Sequence, residues 1–196
     1  MPAGATGYGF RQGKTLSPAK LRVAVKGIKK LIHIIAHDIM QKMKKIELIC
    51  VGDLKYKELK GLEKKFVQRI NFFTTFTVRN TKEIKSKDDR LKKEKEGQMI
   101  LELLDKRDLV IALDQYGKKM DSIGFSSFLS EKISHHPGRI VFLIGGHSGL
   151  SKSLDSRIDN KISFSDMTFA HDIFRILFLE QLYRGFTILK GIKYHR

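Results

Sequence analysis

The sequence predicts an α/β protein built on a parallel sheet. From Met43 to the C-terminus, short apolar runs that suit buried strands alternate with longer segments whose apolar residues recur at helical spacing. Hydrophobic residues make up 41% of the 196 residues, which is enough to bury a sizeable core. Apolar strands that alternate with helices are typical of a parallel sheet with helices on its faces.

The first half of this fold is predicted to hold two strands and two helices. Ile46–Val51 is an apolar run ended by a glycine, which indicates a buried strand. Tyr56–Ile70 carries apolar residues three and four apart with lysines on another face, which indicates a helix. Phe72–Val78 is rich in threonine and aromatic residues and predicts a second strand. The mixed charges of Lys82–Glu96 predict a solvated loop that leads into a helix over Gly97–Leu104.

The second half is predicted to add three strands and two helices. Leu109–Leu113 and Ile140–Ile144 are short and apolar, and Ile162–Phe164 is a candidate fifth strand. Ser122–Ile133 has an apolar helical face. The last helix, from about Phe169 to Leu189, is apolar most of the way round, so we expect it to be buried on more than one side.

Residues 1–42 differ in composition from the rest of the chain. They hold eight lysines and arginines but a single acid. The stretch Gly9–Thr15 has three residues between its glycines, where a phosphate-binding loop needs four, and no strand precedes it. We therefore predict a basic extension over 1–42 that is not part of the fold, and a folded domain over 43–196. The extension arises from an upstream start codon or, as the alternative, is an acid-poor targeting peptide.

Charge and cysteine content narrow the class of function. A net charge of +17 with a pI near 9.9 indicates a nucleic-acid partner, the alternative being lysines that only keep the protein soluble. The single cysteine, Cys50, allows neither an internal disulfide nor a cysteine-based metal site, and it suits a reducing, cytoplasmic compartment. His135 and His136 are adjacent in a predicted loop, so we expect no metal. No apolar run reaches the roughly 18–20 residues of a membrane span.

Three predicted strand ends carry the candidate ligand site. They are Ile111–Gly117, Phe142–Leu150 and Ser163–Asp172, and ligands of open parallel sheets gather outside the carboxyl ends of the strands. Gly145-Gly146 would let a backbone approach a ligand closely, although a glycine turn after a strand is common on its own account. In the third segment Thr168 is a candidate N-cap for the last helix, and the polar residues around it are accounted for equally well by capping and turning.

Three segments also occur in the order and spacing of a known enzyme family. They read KKIELICVGDLK, VFLIGGHSGLS and SFSDMTFAHDIFRILFLEQLYRGFTILKGIKYHR. Over Met43–Arg196 the chain closely resembles the bacterial 23S ribosomal RNA pseudouridine N3-methyltransferases, which belong to the knotted SPOUT class of S-adenosylmethionine enzymes. The resemblance implies a C-terminal trefoil knot, a feature otherwise almost absent from proteins. It also implies a homodimer that acts on 23S ribosomal RNA within the ribosome, with no metal and no membrane.

The resemblance assigns roles to individual residues. It implies that S-adenosylmethionine is bound by Leu113, Gly145, Gly146, Phe164, Ser165, Asp166, Met167, Thr168 and Phe169. It implies that catalysis uses His171, Tyr194, His195 and Arg196, and that RNA is bound by Arg184 and Arg196. The chain departs from the family at Ala170, where proline is usual, and at His147 and Ser148, where acidic or small residues are common.

The chemistry and its alternatives follow from these residues. The imide N3–H of pseudouridine must lose its proton during or after methyl transfer, and the acceptor is His171, His195, or a backbone or RNA oxygen. Two other functions stay open at this point. One is a SPOUT methyltransferase that acts on another RNA. The other is a non-catalytic ribosome-binding protein, against which the intact cofactor loop argues.

Overall fold

The computed structural model describes residues 22–23, 25–32 and 44–194. The chain divides into two compact units, Met1–Asp38 and Ile39–Arg196. In the first unit the described residues are helical and exposed. Gly9–Thr15 and Met43 lie outside the described residues. Among the described residues, no helix is long and apolar enough to cross a membrane.

The second unit is a five-stranded parallel sheet with helices on both faces. Its elements are β1 (Lys45–Val51), α1 (Lys57–Ile70), β2 (Thr75–Thr81), α2 (Asp89–Leu101), β3 (Leu109–Lys119), α3 (Ser122–His135), β4 (Ile140–Ile144), β5 (Asn160–Ser163) and α4 (His171–Leu189). One turn of 3-10 helix, Lys152–Leu154, precedes β5. The strand order is β2-β1-β4-β3-β5, and each of these neighbouring pairs is parallel. The predicted parallel α/β sheet is confirmed.

The two faces of the sheet bury separate apolar clusters. Side chains alternate along a strand, so Phe142 of β4 points to one face and Leu143 to the other. The larger cluster lies under α1, α3 and α4, and the smaller one includes Ile100 of α2. On the larger face α4 contacts both α1 and α3. The last helix is therefore buried on more than one side, as its apolar pattern predicts.

The charged segment before β3 differs from the prediction. A solvated loop over Lys82–Glu96 is wrong for its second half, because α2 begins at Asp89. The Asp88 carboxylate caps that helix by accepting from two backbone N–H groups. Lys92 and Glu96 are buried, since α2 covers the smaller apolar cluster and Lys92 forms an ion pair with Glu83 at 3.1 Å. The local density of charged residues does not indicate that α2 packs against the sheet.

Two strand boundaries also differ. β2 begins at Thr75, because residues 72–74 form a turn that the Asn71 side chain holds through bonds to both backbone groups of Phe76. β3 runs to Lys119, six residues past its predicted end. The extra length arises because β3 shifts register after Leu113 and then pairs with β5 again. This register shift in β3 lies beside the cleft described next.

Candidate active site

A cleft of about 860 Å³ lies where β4 and β5 end and where β3 shifts register after Leu113. Its walls come from residues 113–116, 144–150, 163–165 and 167–171, with Lys93 and Phe174 at the sides. Each of the three strand ends singled out in the sequence therefore contributes to one site. The volume falls within the range of small-molecule and cofactor pockets.

The glycine loop after β4 folds back on itself. Gly149 has a φ of +83°, a conformation that favours glycine, and its N–H donates to the Gly146 carbonyl at 2.9 Å. A Cβ on Gly145 would lie 2.7 Å from the Gly149 carbonyl carbon, and one on Gly146 would lie 2.7 Å from Glu96 Oε2. Gly145 is therefore required because the backbone of Gly149 lies so close, and Gly146 because the Glu96 side chain does. Neither requirement depends on a bound ligand.

Replacing Gly145 with alanine is expected to disturb this loop. The new methyl group would lie too close to the backbone of Gly149 and Leu150, so the loop must move. We expect the free energy of unfolding to fall by about 1–3 kcal/mol. Affinity for S-adenosylmethionine, measured by calorimetry, should fall with it. The matched control is Gly61→Ala in α1, where nothing lies within 4 Å, and it should leave affinity unchanged. Equal affinity and stability in the Gly145 variant and wild type would contradict this account.

The segment after β5 is held by its serines and by an aromatic anchor. Ser163 Oγ donates to the Ser165 carbonyl at 3.0 Å, and Ser165 Oγ accepts from Met167 N at 3.0 Å. The Phe164 ring packs edge-on against Phe125, with centroids 5.1 Å apart. This packing against the core fixes the chain just before the cleft-facing residues that follow.

Eight of the nine residues assigned to the cofactor line the cleft. They are Leu113, Gly145, Gly146, Phe164, Ser165, Met167, Thr168 and Phe169. Asp166 does not belong to the lining, and its exposed carboxylate forms an ion pair with Lys119 at 2.6 Å.

The start of α4 differs from the prediction. The helix begins at His171, not Phe169, and its N-cap is Ala170, so Thr168 as the N-cap is wrong. Ala170 provides no side-chain hydrogen bond. In the first turn, Asp172 Oδ2 instead accepts from the backbone N–H of Lys55 at 2.9 Å, which ties α4 to the loop after β1. This long-range bond gives no signal in the sequence.

His171 is the cleft residue best suited to accept a proton. Its Nδ1 lies 3.5 Å from Asp172 Oδ1, and its Nε2 is buried with no hydrogen-bond partner among the described residues. With the proton on Nδ1, facing the carboxylate, Nε2 keeps a lone pair. A buried nitrogen left unpaired beside a cleft indicates a missing partner, because such groups are normally satisfied.

Tyr194 follows α4 and packs against the second half of that helix, not at this cleft. Tyr194 Oη donates to Glu180 Oε1 at 3.2 Å, and its ring packs edge-on against Tyr183 at 4.8 Å. Arg184 pairs with the same carboxylate at 2.5 Å. Burial, followed by the charge of Glu180, raises the pKa of Tyr194, so the phenol stays protonated and donates. Neither Tyr194 nor Arg184 lines the cleft of its own chain, and His195 and Arg196 lie outside the described residues.

Some lining residues were not singled out from the sequence. Lys93 belongs to the charged segment and had no signal of its own, because its position depends on how α2 packs. Asp114 and Tyr116 lie within a predicted strand end, but no feature of the sequence pattern singled them out.

Burial raises the pKa of Cys50 to about 12, so this thiol is not a nucleophile at neutral pH. The described residues contain no group of three or more acidic, histidine or cysteine side chains that could hold a metal.

The protein has a parallel sheet with a cofactor-sized cleft at its carboxyl edge, and a glycine loop lines that cleft. This architecture is typical of α/β enzymes. A family model described as a predicted SPOUT methyltransferase matches residues 43–195, and the chain belongs to this family. The family resemblance seen in the sequence is confirmed.

Named relatives cover nearly the same span. The chain is 39% identical over 153 residues to ribosomal RNA large subunit methyltransferase H of Christiangramia forsetii, a match that covers 76% of this chain and 98% of that protein. It is 42% identical over 152 residues to the protein of the same name from Mycoplasma mobile, covering 78% and 99%. The SpoU methyltransferase AviRb from Streptomyces viridochromogenes, solved in complex with the cofactor AdoMet, matches with a TM-score of 0.41 and 10% identity, covering 73% of this chain and 58% of that one.

Proposed function

We propose that this protein is an S-adenosylmethionine-dependent methyltransferase that methylates N3 of a pseudouridine in 23S ribosomal RNA, acting on the ribosome. The observation that carries the proposal is the cleft at three strand ends in a SPOUT-family chain whose relatives are named ribosomal RNA large subunit methyltransferases. The net charge of +17 supports an RNA substrate. The compartment is then the one that holds ribosomes, and we place the protein in the cytoplasm.

The cleft suits S-adenosylmethionine in size and in chemistry. Leu113 and Phe164 supply apolar walls, and the turn from Gly145 to Gly149 supplies backbone groups. Asp114 is the only acid among the described lining residues, and the unpaired Nε2 of His171 gives the cleft a polar atom without a partner. When bound, S-adenosylmethionine provides a methyl group made electrophilic by its sulfonium sulfur.

The residues assigned to the cofactor would hold it in place. Leu113, Gly145, Gly146 and the segment 164–169 would do so, with Asp166 acting through its ion pair with Lys119. Their work is to orient the reacting groups and exclude water, since an aligned transfer needs little further assistance.

His171 is our first choice for the proton acceptor. The nucleophile is the imide nitrogen of pseudouridine, whose proton would pass to Nε2 of His171 while Asp172 stabilises the charged ring. His195 remains the alternative acceptor. Tyr194 and Arg196 would position the base and its phosphate, and Arg184 would contact RNA once it is released from Glu180.

A second copy of the chain would bring the C-terminal residues to the cleft. Ile173 on α4 is exposed, and Leu177 and Ile188 on the same side are only half-buried. Three apolar residues left partly uncovered on one side of α4 support pairing of two α4 helices. Tyr194 lies away from its own cleft, which is what a donated residue requires. The trefoil knot stays part of this proposal as a family property.

Mixed dimers test the shared site. A chain lacking residues 194–196 should be inactive alone, as should a chain carrying His171→Ala. Mixing the two in equal amounts should restore about a quarter of the active sites, because half of the dimers are then mixed and each mixed dimer has one site with His171 from one copy and an intact C-terminus from the other. Failure to restore any activity, in mixtures that sedimentation shows to be dimeric, would overturn the shared site.

Residues 1–42 are proposed to be dispensable for folding and methylation. The family match starts at residue 43, and the described residues of the first unit are exposed. A chain that starts at Met43 should keep the melting temperature and specific activity of the full chain. A loss of either would give the basic extension a role in the domain.

The proposed function is tested with purified protein, radiolabelled S-adenosylmethionine and ribosomes from a strain that lacks the modification. Label should enter 23S RNA, and mass mapping should locate it at N3 of one pseudouridine. Free RNA, large subunits and whole ribosomes are compared in parallel to find the substrate. Label in a transfer RNA instead would favour the alternative, a SPOUT methyltransferase with another target.

A further inference from the structure

A second cavity, of about 460 Å³, lies between the end of α1 and the end of α4. Its seven described lining residues are Lys65, Gln68, Arg69, Phe72, Phe73, Tyr183 and Ile192. None of them lines the cleft at the strand ends. We call this cavity the aromatic pocket.

The aromatic pocket presents an exposed ring on a rigid base. Phe72 is 81% exposed, which is unusual for so large an apolar side chain. It stands edge-on to Phe73 with centroids 5.9 Å apart, and Phe73 in turn stacks on the buried Phe186 at 5.5 Å. The turn that carries Phe72 is held by the bonds of Asn71 to Phe76. The exposed ring is therefore attached to the core and can accept another flat ring with little loss of entropy.

The charged groups at the aromatic pocket have a single sign. Lys65 and Arg69 contribute two cations, and none of the seven lining residues is acidic. The guanidinium carbon of Arg69 lies 5.7 Å from the centroid of the Tyr183 ring. A cation beside exposed aromatic rings suits a ligand that is flat at one end and anionic at the other, as a nucleotide is.

The aromatic pocket is continuous with the chain terminus that the proposed function assigns to RNA. Tyr183 belongs to the pocket and also packs against Tyr194 at 4.8 Å. An RNA strand that contacts the C-terminal residues therefore passes within reach of the pocket.

We propose that the aromatic pocket binds one unpaired nucleotide of the ribosomal RNA substrate, outside the residue that is methylated. Its base stacks on Phe72, and its phosphate is held by Lys65 and Arg69. This inference rests on the proposed function, because it takes ribosomal RNA as the substrate. It adds a recognition site separate from the cleft at the strand ends.

A tryptophan reporter tests the stacking directly. The chain contains no tryptophan, so Phe72→Trp, with 5-hydroxytryptophan incorporated at that codon, gives emission that is excited at longer wavelength than the tryptophans of ribosomal proteins. Adding ribosomes should quench that emission, because a base stacked on indole does so. The matched control is Tyr56→Trp, at a position 64% exposed at the other end of α1, where emission should not change. No quenching at position 72, with ribosomes shown to bind by filter retention, overturns the proposal.

Kinetics test what the pocket contributes. Phe72→Ala should raise the KM for ribosomes about 5- to 150-fold, the range expected for one stacked base, and leave kcat unchanged. Lys65→Ala combined with Arg69→Ala should flatten the dependence of log affinity on log salt by about 0.7 for each phosphate that the protein no longer neutralises. Arg90→Ala on α2, which also removes an exposed cation, is the control and should change neither quantity. A fall in kcat alone would contradict a docking role.

The design separates this inference from the proposed function and from a protein partner. Quenching by ribosomes requires no methyl transfer, so it holds or fails even if wild-type protein methylates nothing. Normal methylation by Phe72→Ala with an unchanged KM contradicts the inference and leaves the proposed function standing. Sedimentation of the same variant supplies the last outcome: if it dissociates a wild-type dimer, the pocket is an interface between copies and the nucleotide proposal is wrong.

Discussion

Replacing His171 with alanine is expected to lower kcat for methyl transfer about 100- to 10,000-fold, the usual contribution of a general base. The physical reason is that Nε2 of His171 is buried at the cleft without a partner while Nδ1 faces the Asp172 carboxylate. Single-turnover methylation of ribosomes measures the effect. Affinity for S-adenosylmethionine, measured by calorimetry, should change much less, since the ring is needed for the proton rather than for the methyl donor.

Two comparisons decide whether His171 is the acceptor. Added imidazole should restore part of the rate of His171→Ala, because a small free base can occupy the space of the missing ring. His195→Ala, made in parallel, should keep most of the wild-type rate and gain nothing from imidazole. If imidazole rescues the His195 variant and not the His171 variant, the proton passes to His195.

Replacing Arg175 with alanine is expected to lower the free energy of unfolding by about 3–5 kcal/mol, the loss seen when one member of a buried ion pair is removed. Arg175 is 1% exposed and pairs with Glu63, joining α4 to α1. Without it the Glu63 carboxylate, itself mostly buried, has lost its cation, and a cavity remains. Denaturation by urea, followed by circular dichroism, measures the loss.

Matched variants separate the ion pair from the volume of the side chain. Arg175→Met with Glu63→Leu removes both charges while keeping most of the packing, and it should be less destabilising than Arg175→Ala alone. Arg90→Ala removes a solvent-exposed arginine from an ion pair and should cost no more than about 0.5 kcal/mol. Equal losses for Arg175→Ala and Arg90→Ala would show that the buried pair contributes nothing.

The existence of all five strands was predictable from the sequence because a buried strand leaves a short apolar run, whereas the start of β2 and the end of β3 were not. β4 was predicted with its observed bounds, Ile140–Ile144, since all five residues are buried. The alternation of strands and helices then fixed which strand ends could meet. The cleft follows from that rule, and three segments far apart in the chain come together as the rule requires.

Other features depend on tertiary contacts and were not predictable. Lys92 and Glu96 look solvated by composition, yet α2 covers one face of the sheet and buries both. The first turn of α4 is joined to the loop after β1 by a bond from Lys55 to Asp172, which are far apart in sequence. The position of Tyr194 outside the cleft of its own chain depends on its packing against Tyr183 of α4, which the sequence does not indicate. Strand order, β2-β1-β4-β3-β5, leaves no periodic signal at all.

That strand order has a consequence for synthesis on the ribosome. β4 lies at the centre of the sheet, and its Ile140 pairs with Ile46 of β1. About 90 further residues must therefore be synthesised after β1 before β1 can pair with its second neighbour, β4. At about 5–20 residues per second the delay is roughly 5–20 s. During that interval the nascent β1–β2 pair has one open, apolar edge, which is a template for wrong pairing with other chains. The growing chain is therefore most dependent on chaperones before its central strand emerges.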